Sequence, residues 1–280
     1  MLTTLTLTVG LCSIEEVAQA SRTPFGFQLY MMRDRGFVTE LIARARQARC
    51  SALMLTVDLA YTGASYRDVR SGLAGGLGFR GRLAVALDRM RRIAWIRDVA
   101  LGGRPLVFGT ITSRLPNARS FPEFVEFVQG NFDPSATWKD VEWVRTQWGG
   151  PLVIKGVLEP ADAKMAADAG AQAIVVSNHG GGQLDSVPST IVALPAIADA
   201  VGDRLDVIFD GGVRSGLDVV KAVALGAKGR LIGRAWVYAL AALGAAGVRR
   251  MLQTIREEIE VAMALAGVTS VSVIDRTLLV

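Results

Sequence analysis

A chain of 280 residues with 51% hydrophobic and 20% charged side chains can bury one large α/β core, which excludes a disordered or low-complexity protein. Two cysteines, Cys12 and Cys50, exclude a disulfide framework or a cysteine metal cluster, so a reducing, cytoplasmic setting and no metal are expected. The net charge of +5 is concentrated in residues 65–104, where nine Arg meet three Asp, so the chain carries a local basic patch and is otherwise close to neutral.

The first helical pattern has Phe37, Val38, Leu41, Ile42 and Ala45 on one face. A short apolar run, Leu53–Val57, then ends at Asp58 as a buried strand would. Residues 68–140 break the rhythm: Gly75-Gly76, Gly102-Gly103, several Pro and the arginines mark a long, partly helical insertion between two strands. Strand signals return at Leu152–Ile154, ending at Lys155-Gly156, and at Ala173–Val176, ending at Ser177-Asn178-His179. Two more run Val207–Phe209 into Asp210-Gly211-Gly212 and Gly229–Ile232 into Gly233-Arg234. Helices are predicted over Ala161–Ala169, over Leu217–Leu225 with Ser215 as its cap, and over Val248–Leu265 as a closing amphipathic helix. Trp236–Val248 is apolar but short of the roughly 18 residues that span a bilayer, and Gly244 and Gly247 interrupt it. No secretory leader pattern is read at the amino terminus.

Alternating strands and helices imply a parallel sheet, as a (β/α)8 barrel or a doubly wound fold. Both place their sites at the carboxyl ends of the strands, where the polar residues cluster here. No GxGxxG turn supports the dinucleotide version.

His179 is the chain's only histidine, and at a strand end beside Gly180-Gly181-Gly182 it suits proton abstraction. Lys155 at another strand tip invites an anionic ligand or is a snorkelling surface lysine. Asp210-Gly211-Gly212-Val213-Arg214, followed one unit later by Gly233-Arg234, offers backbone N–H groups and guanidinium to a phosphate-bearing cofactor. The Arg-rich stretch has no interleaved aromatic platform, with only Tyr66, Phe79 and Trp95 scattered through it, so nucleic-acid binding is not expected.

Ser177-Asn178-His179-Gly180-Gly181-Gly182-Gln183-Leu184-Asp185 resembles the signature of the FMN-dependent α-hydroxy-acid oxidase and dehydrogenase family. Phe27-Gln28-Leu29-Tyr30, Leu55-Thr56-Val57-Asp58 and Val153-Ile154-Lys155-Gly156 extend the likeness. Asn131-Phe132-Asp133-Pro134 with Trp138-Lys139-Asp140 most resembles bacterial respiratory L-lactate dehydrogenases. The resemblance implies a single FMN-binding (β/α)8 TIM barrel over residues 1–280 that oxidises a lactate-like L-2-hydroxy acid to the 2-oxo acid. It implies His179 as the α-proton base or the hydride-step partner, with Asp58 stabilising the imidazolium. Tyr30 would hydrogen-bond the substrate hydroxyl, Gln28 and Thr56 would contact the isoalloxazine, and Lys155 would sit at its pyrimidine edge. Asp210, Gly211, Gly212, Arg214, Gly233 and Arg234 would bind the ribityl chain and phosphate. A quinone or other electron acceptor, an anionic membrane surface on the cytoplasmic face and a homo-oligomer are the implied partners.

Four departures from the family pattern stand out. Gly182 and Ser65 occupy positions where relatives carry arginines for the substrate carboxylate. Leu7 stands where a polar residue should face the flavin. Met1–Val9 aligns with the second barrel strand, so the amino-terminal region and first strand are expected to be missing. The alternative these departures motivate is a truncated or catalytically impaired flavin-binding paralogue.

Overall fold

The computed structural model describes residues 5–61, 63, 70, 79–91, 93, 96–101, 107–118 and 121–279. Seven strands form one sheet: β1 (Leu5–Leu7), β2 (Gly26–Tyr30), β3 (Ala52–Thr56), β4 (Leu152–Val157), β5 (Ala173–Val176), β6 (Asp206–Phe209) and β7 (Gly229–Arg230). All pairings are parallel and the spatial order equals the chain order, β1 to β7. A doubly wound sheet reverses order at a switch point. A singly wound sheet with a helix after each strand is the (β/α)8 barrel plan, here seven of its strands.

The helices are α1 (Ile14–Ala20), α2 (Arg35–Gln47), α3 (Phe79–Met90), α4 (Phe121–Asn131), α5 (Trp138–Trp148), α6 (Pro160–Asp168), α7 (Thr190–Val201), α8 (Gly216–Ala224) and α9 (Arg234–Leu265). Their ends follow local chemistry. Asp34 caps α2 by accepting from Phe37 N, and the buried face Phe37, Val38, Leu41, Ile42 and Ala45 is the stripe read from the sequence. Ser215 opens α8 with a capping box closed by Asp218. The last helix starts earlier than its amphipathic pattern suggests. Residues 234–247 have no polar stripe, but alanine and leucine favour helix intrinsically, so α9 begins at Arg234 and is interrupted at Leu243-Gly244.

The stretch between β3 and β4 holds α3, a π-helical turn at Ile96–Leu101, α4 and α5. Met32 bridges Phe132, and Arg35 pairs with Asp133 at 2.6 Å and Asp140 at 2.8 Å, which ties the segment 131–140 to the end of β2. Ser65 lies outside the described residues, as does much of the arginine patch. No helix among the described residues is long and apolar enough to cross a membrane.

Two faces of the sheet have different jobs. Leu53, Leu55, Ile154, Ile174, Val176, Val207 and Phe209 face the helices in the main core. The alternate residues Met54, Val153, Ala173 and Val175, with Leu5, Ala52, Ile208 and Leu231 against them, fill the inner side. Parallel register places Gln28 beside Met54, Tyr30 beside Thr56, and Thr56 beside Lys155 on that inner face. The polar strand tips therefore converge because of period-two alternation.

Candidate active site

Three bonded groups occupy the carboxyl-terminal mouth. In the first, buried Gln28 donates its amide to Thr56 Oγ1 at 2.6 Å and to the Tyr30 hydroxyl at 3.3 Å. Tyr30 is packed edge-on against Phe132, 5.6 Å between centroids, which gives the Asn131–Pro134 segment a role as a wall of the site. Burial, reinforced by the negative charge of Asp58, pushes the Tyr30 phenol up to about 12. Its proton therefore stays on at working pH, and the hydroxyl is available as a donor.

In the second group, His179 Nδ1 lies 2.9 Å from Asp58 Oδ1. An ionised carboxylate only accepts, so Nδ1 carries the proton and Nε2 is left free to take one. The other Asp58 oxygen, Oδ2, is buried without a hydrogen-bond partner among the described residues. Gly156 makes this pairing possible: it sits at φ +106 in the β4 irregularity, and a Cβ there would fall 2.5 Å from Asp58 Cγ. His179 itself is a non-glycine residue at φ +55, followed by Gly180 and Gly181 at +67 and +74. Such left-handed backbone at an imidazole costs about 1–3 kcal/mol and is kept where the surroundings enforce it.

In the third group, Lys155 is buried rather than snorkelling. Its ammonium donates to Ser177 Oγ at 3.1 Å and lies 3.4 Å from Asp210 Oδ2, while Ser177 Oγ donates to Asp210 Oδ2 at 3.1 Å. The sequence alone assigns no role to Ser177 or Gly156. The signal for Ser177 was present, since it continues the inner-face series Ala173, Val175 one step past the strand.

The expected phosphate residues gather less tightly. Gly211 and Gly212 turn at φ +113 and +105 after β6. A Cβ at Gly212 or Gly233 would meet nothing within 4 Å. Arg234, at the start of α9, donates to Gly180 O at 3.2 Å and so reaches the His179 loop. Arg214 borders a crevice of about 260 Å³ beside α9, lined also by Arg250, Thr254 and Glu258. The amino end of α8 is already engaged, because Glu258 accepts from Gly216 N at 2.6 Å and Asp218 from Arg214 N and Ser215 N. An anion at this rim would rest on the glycine backbone and the α9 end instead, where no side chain caps the helix.

The departures are also placed. Leu7 pairs in register with Gln28 and shares its face. Gly182 is exposed, and its loop touches the one after β3, where Gly63 N donates to Gln183 Oε1 at 3.1 Å.

Comparison with known proteins gives a consistent picture. The family described as FMN-dependent dehydrogenase matches residues 2–280. An L-lactate dehydrogenase of Caulobacter sp. (strain K31) is 53% identical over 272 residues, 97% of this chain and 71% of that protein. The L-lactate dehydrogenase of Caulobacter vibrioides (strain NA1000 / CB15N) is 54% identical over 97% of this chain and 70% of its own length. Among solved structures, mandelate oxidase with (S)-4-hydroxymandelic acid superposes with a TM-score of 0.79 at 37% identity, covering 97% of this chain and 69% of that one.

Proposed function

From the premise that the chain belongs to the FMN-dependent dehydrogenase family, we propose that it oxidises a lactate-like L-2-hydroxy acid to the 2-oxo acid. The observation that carries this is the His179–Asp58 pair at the mouth of the barrel beside the buried Lys155. The residues present fit FMN: Gly212 and Gly233 leave open space at the rim, and Lys155 offers a buried cation. When bound, FMN supplies the two-electron acceptor for the substrate Cα–H bond.

The chain's own groups do the rest. Tyr30 donates to the substrate hydroxyl, its proton held by burial. His179 takes a proton at Nε2, as α-proton base or as hydride leaves, while Asp58 holds Nδ1–H and balances the imidazolium. Lys155 would supply the buried positive charge that offsets the negative charge of the reduced flavin. Gln28 and Thr56 would contact the ring, and Asp210, Gly211, Gly212, Arg214, Gly233 and Arg234 would bind the ribityl chain and phosphate.

The purified protein, saturated with FMN, is expected to show a bound-flavin absorbance that bleaches on anaerobic addition of L-lactate. Absence of flavin binding would remove the proposal. Binding without bleaching would favour the impaired-paralogue reading.

We also propose that electrons leave to a quinone or another acceptor at an anionic membrane surface on the cytoplasmic side. Supporting this, Phe79, Leu83, Leu87 and Met90 form an exposed apolar stripe along α3, with Arg91 exposed just past its end. Cosedimentation with phosphatidylglycerol vesicles, weakening as salt rises, is the expected result. No pelleting at low salt would sink it.

A further inference from the structure

We propose that Ser177 is a positioning residue that couples the flavin-facing lysine to the catalytic histidine through one fully used hydroxyl. A serine hydroxyl has one donor and two acceptor positions. Here it donates to Asp210 Oδ2 at 3.1 Å and accepts from Lys155 Nζ and from the His179 backbone N–H, each at 3.1 Å. The residue is fully buried, so water does not compete for these bonds.

Each bond does a separate job. The one to His179 N fixes the first residue of the left-handed run, at φ +55, a conformation that needs outside enforcement. The one to Lys155 keeps the ammonium 3.4 Å from Asp210, so that its charge is shared and not collapsed onto that carboxylate. Deleting the hydroxyl leaves buried partners unpaired and loosens the imidazole and the ammonium together. No other side chain of this size supplies the same three bonds, since alanine has none and a thiol is weak in both roles.

The flavin half rests on the proposed FMN chemistry; the histidine half does not. For Ser177→Ala, faster amide hydrogen exchange at His179 is expected in the flavin-free protein. In the FMN-loaded protein a more negative flavin midpoint potential is expected, with kcat for L-lactate lowered by up to about 100-fold and KM little changed. Ser177→Thr, which keeps the oxygen, is expected to restore exchange and potential. Unchanged His179 exchange together with an unchanged potential would overturn the inference. A wild-type protein that binds no FMN would remove the functional proposal, and the exchange measurement would still decide the histidine half.

Discussion

His179→Gln is expected to lower the rate of flavin bleaching by L-lactate by about 100- to 10,000-fold, the usual range for removing a positioned acid–base group. Flavin content should stay the same. Glutamine has similar reach but no basic nitrogen, so it can hydrogen-bond Asp58 and cannot take the proton. The chain contains no second histidine to substitute. Asp58 cannot replace it directly, because it lies behind the imidazole, bonded to Nδ1 at 2.9 Å. Anaerobic stopped-flow absorbance separates the outcomes. A slow but complete bleaching with intact flavin binding supports the assignment, whereas a wild-type rate would move proton transfer to another group.

Gly182→Arg combined with Ser65→Arg is expected to raise kcat/KM for L-lactate by about 30- to 4,000-fold, which is the 2–5 kcal/mol cost of an unpaired buried charge expressed as a rate ratio. The backbone at Gly182 accepts the change: its φ is −91°, and an added Cβ meets only His179 O at 3.3 Å. A guanidinium there would rise from the loop that carries His179, three residues away. The partner loop is adjacent, since Gly63 packs so closely on it that a Cβ would lie 2.5 Å from Gly182 O. Gly63 and Gly182, far apart in the chain, thus belong to one wall of the mouth. If the variant gains activity mainly through KM, the native chain has a weak carboxylate site and an otherwise working centre. If KM does not move, a cation elsewhere already holds the carboxylate, and the reading of Gly182 as a loss is wrong.

Much of this protein was legible in its sequence because it is written at short range. The stripe from Phe37 to Ala45, the Ser215 cap and the Ala173–Val176 strand all matched the structure. So did the placing of Asp58, Ser177 and Asp210 just past strand ends, since strands, caps and glycine turns depend on neighbours a few residues away. Lys155 and Gly156, by contrast, lie inside β4 and not beyond it. What the sequence left open needed the barrel. His179 and Asp58 are 121 positions apart and meet only because β3 and β5 flank β4 and because Gly156 has no side chain to block Asp58. The burial of Lys155, the three bonds of Ser177 and the raised pKa of Tyr30 likewise come from residues on several strands. Even the α8 end, which reads as an anion cradle, is closed by Glu258 from α9. Local chemistry chose the groups that stand at the mouth. Curling the sheet set their distances, and distances decide which of them act together.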